Sequence, residues 1–187
     1  DLMERYHLGA LQKQEYFIEP DEFPNEPIRN LNALQNSINN APLQRIIKEE
    51  RTRTVDCIQQ ENGTTELFDK NYARREILRR YTPPGKPYCI CQMCLTGKPD
   101  NLMEVNNLQS KPKFYWPEMR LVLCLECSKK FEALRSGTIW SQKFERAILA
   151  TNGSIPGPVK VPIGNDTITF TQTHLVQIQM ILKKKLL

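Results

Sequence analysis

Cys91-Gln92-Met93-Cys94 and Cys124-Leu125-Glu126-Cys127 are the two stretches on which the fold turns. A Cys-x-x-Cys turn lets two thiolates converge on one metal, and two such turns complete a closed tetrahedral four-cysteine site of the structural zinc type. The first pair lies in the run Tyr88-Cys89-Ile90-Cys91, which reads as a short strand entering a knuckle. The second follows apolar Leu121-Val122-Leu123 and precedes Ser128-Lys129-Lys130-Phe131-Glu132-Ala133-Leu134-Arg135, which reads as a helix. Cys91, Cys94, Cys124 and Cys127 are therefore the candidate ligands of one Zn2+. Ordinary buried cysteines and a redox dithiol are the alternatives. A closed site holds a fold together and does not by itself name a function.

Outward from the knuckles, the chain alternates helical and extended patterns. Upstream, Asn25 reads as a helix cap ahead of the stripe Ile28, Leu31, Leu34 and Ile38, and Leu43, Ile46 and Ile47 suggest another short helix. Arg51 to Ile58 reads as a strand with a turn at Glu61-Asn62-Gly63-Thr64. A basic helix follows, with Asp69 as its cap, Ala73, Ile77 and Tyr81 on one face, and Arg74, Arg75, Arg79 and Arg80 around the rest. Thr82-Pro83-Pro84-Gly85-Lys86-Pro87 ends it. Downstream, Trp140, Phe144 and Ile148 predict a helix over 138–151. Val159, Val161, Ile163 and then Ile168, Phe170 around Gly164-Asn165-Asp166 predict a hairpin. Thr171 or Thr173 caps a last helix with Leu175, Ile178 and Leu182 inward, and Lys183, Lys184 and Lys185 complement that helix's negative end.

The expected fold class is α+β, mostly helical, around one four-cysteine zinc-knuckle lobe. The segments are 1–50 (helical), 51–85 (strand, turn and basic helix), 86–151 (zinc lobe and the helices after it) and 152–187 (hairpin and final helix). The chain has 187 residues, 40% hydrophobic and 25% charged, so it can bury a real core. Its net charge of +5 permits nucleic-acid binding without demanding it. No stretch approaches the roughly 20 apolar residues needed to cross a bilayer. The opening residues lack the basic and apolar regions of a signal peptide, and the first residue is Asp1 rather than Met. The expectation is an intracellular piece of a larger protein, in which paired Cys-x-x-Cys turns favour metal over disulfides.

The order strand, Cys91-x-x-Cys94, a loop with Glu104-Val105-x-x-Leu108, apolar strand, Leu123-Cys124-x-x-Cys127 and helix resembles the HNH endonuclease family. The likeness covers Tyr88 to Arg135, about a quarter of the chain. It implies a ββα-metal, treble-clef-like unit stapled by zinc on four cysteines. In that family a Glu-x-His-His-Ile run supplies the base that activates water and a ligand for the catalytic metal. This chain has Glu104-Val105-Asn106-Asn107-Leu108 there. An asparagine amide cannot take a proton near neutral pH, so it cannot serve as the base. Where the family places further histidines after the last cysteine, this chain has Ser128 and Glu132, and its only histidines are His7 and His174. The resemblance thus implies a degenerate, non-catalytic unit. A nuclease with altered active-site residues and a protein-interaction scaffold are the alternatives.

Adjacent Asn106 and Asn107 also suit a tight turn that tolerates positive φ. The candidate nucleic-acid contacts are Arg74, Arg75, Arg79 and Arg80 on the basic helix, Lys111 and Lys113 in the loop before Phe114-Tyr115-Trp116, and Lys129 and Lys130 after the second knuckle. Cys89 and Cys57 read as packing residues. His174, with no companion ligand nearby in sequence, reads as a surface or capping residue.

Overall fold

The computed structural model describes residues 15–40, 57–59, 65–67, 70–109 and 116–185. Its helices are α1 (Leu31–Asn39), α2 (Lys70–Arg80), α3 (Leu125–Arg135), α4 (Thr138–Ala150) and α5 (Gln172–Lys185). Its strands are β1 (Cys57–Gln59), β2 (Thr65–Leu67), β3 (Cys89–Ile90), β4 (Gly97–Lys98), β5 (Met103–Asn107), β6 (Arg120–Cys124), β7 (Val159–Ile163) and β8 (Asp166–Phe170). The strands pair consecutively as four antiparallel two-stranded sheets. The fold is α+β, as the sequence implied. The short helix expected near Leu43 lies outside the described residues.

Local chemistry explains most of the elements. β7 and β8 form the expected hairpin in the register Val159↔Phe170, Val161↔Ile168, Ile163↔Asp166. Gly164 starts its two-residue turn at φ +61°, a conformation glycine adopts without a Cβ clash. Thr171 caps α5: its hydroxyl accepts from the His174 N–H at 3.3 Å and its carbonyl from Leu175 at 3.1 Å. Phe131, Trp140 and Phe144 pack α3 against α4, with ring centroids 5.3 Å apart edge-on for Phe131–Trp140 and 5.2 Å stacked for Trp140–Phe144.

One expectation fails for a tertiary reason. α1 is capped by Asn30, whose side chain accepts from the Ala33 N–H at 3.0 Å, and not by Asn25. The chain before it is held elsewhere. The Glu26 carbonyl accepts both the Thr173 N–H (3.0 Å) and its hydroxyl (2.7 Å), and the Ile28 N–H donates to Gln172 Oε1 at 3.0 Å. Residues 26–28 thus bind the start of α5 and cannot wind into a helix. Lys184, at the other end of α5, reaches across to the Ile38 and Asn39 carbonyls (3.3 and 3.4 Å). From the last turn of α5 it thus also meets the negative end of α1.

One cluster of buried apolar side chains runs from Phe23 to Leu182. It takes Phe23 and Ile38 from the first expected segment and Ile77, Leu78 and Tyr81 from the second. The third supplies Ile90, Leu121, Leu123 and Phe131, and the fourth Ile168, Phe170, Leu175 and Ile178. The four segments therefore share one core. Among the described residues, no helix is long and apolar enough to cross a membrane.

Candidate metal centre

β3 and β4 are joined by the first Cys-x-x-Cys turn, which closes when the Leu95 N–H donates to the Cys91 carbonyl at 2.9 Å and the Cys91 N–H to the Thr96 carbonyl at 2.9 Å. Leu95 takes φ +61° to make the turn, a conformation that costs a non-glycine residue about 1–2 kcal/mol. Gly97 then has to be glycine, because a Cβ there would stand 2.7 Å from the Tyr88 ring. The second pair straddles a strand-to-helix junction: Cys124 ends β6 and caps α3, and Cys127 lies in its first turn.

These two turns bring the sulfurs of Cys91, Cys94, Cys124 and Cys127 within 4.8 Å of one another, three of them buried and Cys94 exposed. All four are free thiols. A tetrahedral metal with sulfur at about 2.3 Å has S···S edges of about 3.8 Å, and Cys94 Sγ lies 3.8 Å from Cys124 Sγ. The donor set therefore fits a four-coordinate cation with no vacant position. Electrostatics point the same way. The Cys94 thiol is drawn well below its usual range by hydrogen bonding from Cys124 first, then Cys127 and Cys91. Cys127 is pushed up, by Cys124 first. Four thiols this close must share protons unless a cation lets all of them ionise.

The surroundings support that charge. The Thr96 hydroxyl stands 2.9 Å from Cys94 Sγ. Lys98 loses solvation by burial, yet Glu15 (Nζ to Oε1, 3.2 Å) and the Cys124 sulfur hold its pKa above the usual value. Gln92, inside the first pair, uses its whole polar inventory. Its N–H donates to the Val122 carbonyl (3.0 Å) and its carbonyl accepts from the Thr169 N–H (2.8 Å). Its side-chain oxygen accepts from the Val122 N–H (2.8 Å) and its amide donates to the Thr169 carbonyl (3.0 Å). The knuckle is thereby tied to β6 and to β8. Sequence reasoning missed Gln92; a fully buried glutamine between two candidate ligands carries no local signal.

β5, β6 and α3 stack beside the cysteines. Asn106 and Asn107 are not a turn: they close β5 in register with Leu121 and Arg120, because the ladder takes their backbone groups. Asn106 is buried, and its Oδ1 accepts from the Ser128 hydroxyl on α3 at 3.1 Å, while its Nδ2 has no hydrogen-bond partner among the described residues. The Asn107 carbonyl accepts from Arg135 at 2.6 Å. Glu104 and Glu132 are exposed. Among the described residues, no other group of three or more His, Cys, Asp or Glu side chains converges on a point.

His174 is neither at the surface nor a cap. It is fully buried, with Nε2 2.7 Å from the Glu118 carbonyl and Nδ1 2.6 Å from the Tyr81 hydroxyl. A carbonyl only accepts, so Nε2 carries the proton and Tyr81 donates to Nδ1. Burial first, then the Arg80 charge, holds its pKa well below the ordinary value.

Compared with protein-family models, curated proteins and solved structures, the chain gives no significant match.

The expected basic contacts separate. Arg74 donates to the Asp100 and Met103 carbonyls (2.9 and 3.0 Å), and Arg80 pairs with Glu26 (3.1 Å) and donates to Gln177 (2.8 Å). Both hold α2 to the body. Arg79 is exposed and pairs with Glu76 at 2.6 Å, and Arg75 is exposed too. Lys129 and Lys130 are exposed on α3. Lys111 and Lys113 lie outside the described residues. Cys89 packs in the core, its thiol donating to the Leu78 carbonyl at 3.4 Å and raised to about 12 by burial. The Cys57 side chain lies outside the described residues.

Proposed function

We propose that the chain is a zinc-stapled, non-catalytic, intracellular module of the HNH-like ββα type that binds nucleic acid, DNA first. Zinc is the metal because four thiolates at tetrahedral spacing are a soft, closed donor set. The observation that carries the reading is the hydrogen bond between Asn106 Oδ1 and Ser128 Oγ, 3.1 Å long and buried between β5 and α3. These are two of the positions where the family places histidines. Neither an amide nor a hydroxyl takes a proton near neutral pH, so no general base stands there. His174 does not substitute, since both of its ring nitrogens are engaged in the core.

The candidate contacts in this reading are Lys129 and Lys130, exposed on α3, and Arg75 and Arg79, exposed on α2. Binding of the zinc-loaded protein to duplex DNA at low and physiological salt tests it, with Mg2+ or Mn2+ added to look for cleavage. We expect salt-sensitive binding without cutting. Lys129→Glu with Lys130→Glu should weaken binding on every sequence and flatten the salt slope by about 2, close to one for each phosphate no longer neutralised. Cleavage would overturn the non-catalytic reading. No binding at low salt would leave a protein partner, the second reading, favoured by the exposed apolar side chains of Phe17 (93%) and Ile139 (72%).

A further inference from the structure

Cys94 stands apart from the three cysteines it clusters with. Cys91, Cys124 and Cys127 are buried, and Cys94 alone is exposed. Across the two pairs its sulfur stands 3.8 Å from Cys124 Sγ, 30 residues further along the chain. The Thr96 hydroxyl lies 2.9 Å from the Cys94 sulfur. The one exposed residue of the four thus has its sulfur in contact with that of a buried one. The other free thiol of this region, Cys89, is buried and bonded to the Leu78 carbonyl, so it offers no competing target.

We propose that the cluster is an oxidation site, at which hydrogen peroxide links Cys94 to Cys124 and the chain releases its metal. The inference rests on the zinc reading of the four cysteines. The Cys94 sulfur attacks a peroxide oxygen and the O–O bond breaks. The hydroxide that departs takes a proton and leaves as water, and Cys94 becomes a sulfenic acid. The Cys124 sulfur then attacks the Cys94 sulfur, the S–O bond breaks, and the second hydroxide leaves as water. Two thiolates lose one electron each, the peroxide gains two, and two protons are consumed. The metal keeps its oxidation state. It loses two of its four ligands, and Cys91 with Cys127 cannot close a tetrahedron. Because Gln92 sits between Cys91 and Cys94 and holds Val122 and Thr169, the knuckle's link to β6 and β8 loosens with it.

The test treats zinc-loaded protein with hydrogen peroxide in the presence of a colorimetric zinc chelator, and maps cysteine linkages by non-reducing peptide mass spectrometry. Metal content is measured before oxidant is added. We expect one equivalent of zinc released per chain, a Cys94–Cys124 linkage, and recovery of the metal after dithiothreitol and fresh zinc. Cys94→His keeps a ligand at that position but removes the attacking sulfur, and should hold zinc while releasing it at least tenfold more slowly. Cys89→Ser should release it like the parent. Retention of zinc by the parent under peroxide, release by Cys94→His at the parental rate, or a Cys91–Cys94 linkage would each overturn the proposal while leaving the zinc reading intact. A chain that holds no zinc before oxidation would overturn both.

Discussion

At the scale of single residues, His174 shows how a titratable group can be built into a core. Its two ring nitrogens meet the Tyr81 hydroxyl and the Glu118 carbonyl, and the Phe170 ring stands edge-on at 5.4 Å. The Tyr81 oxygen in turn accepts from the Thr171 N–H at 3.4 Å, so the start of α5 is pinned to the end of α2. A second proton on the ring would have to sit at Nδ1, where Tyr81 already donates, in a site beside the Arg80 charge. Folding therefore favours neutral His174, and its folded pKa lies below the unfolded value of about 6.5. Below about 6.5 the unfolded chain takes up a proton that the folded chain refuses. Stability is then lost as pH falls, by up to about 1.4 kcal/mol per pH unit, until the folded pKa is reached. His174→Gln should flatten the fall in urea midpoint between pH 7.5 and pH 5.5 relative to the parent. The four cysteines contribute equally to both curves, and a parallel fall in the variant would show that His174 is not the titrating group. None of this was legible in the sequence, because Tyr81 and Glu118 lie 93 and 56 positions away.

At the scale of elements, α2 separates what composition groups together. Its four arginines read as one basic surface, yet two face inward and two outward. Arg74 ends on backbone carbonyls at the entry to β5. Arg79 is 74% exposed beside Glu76. Removing Arg74 leaves two carbonyls short of a charged donor, at about 1–3 kcal/mol. Removing Arg79 breaks a solvated pair worth about 0–1 kcal/mol. Arg74→Ala should therefore lower the thermal midpoint by several degrees and Arg79→Ala by a degree or less, compared side by side in one buffer. Equal shifts would mean that α2 is not anchored through Arg74. Helix and hairpin positions were largely legible because their signals are local: apolar spacing for α2 and α4, alternation around Gly164 for β7 and β8. The start of α1 was not, since the chain ahead of it is claimed by Gln172 and Thr173 of α5, far along the sequence.

At the scale of the whole molecule, the converging cysteines were legible and what they hold was not. The spacing inside each Cys-x-x-Cys pair identifies a four-cysteine site, but only the fold reveals that Gln92 carries its rigidity into β8, 77 positions downstream. Leu121 and Leu123 of β6, Ile90 of β3 and Phe170 of β8 then meet in one core. Zinc binding contributes about 10–16 kcal/mol to a structural site, and a domain's net stability is about 5–15 kcal/mol. With a single shared core, stripping zinc from the proposed site withdraws as much as the whole net stability of a domain, and the loss extends beyond the knuckle. Treatment with a chelator under reducing conditions should therefore collapse the amide signals of β7, β8 and α5 together with those of β3 to β6, in one transition, and zinc should restore both sets. If instead the signals from Val159 to Leu182 survive while the knuckle signals disappear, the C-terminal hairpin and helix are stable without the metal, and Gln92 joins two units that fold separately.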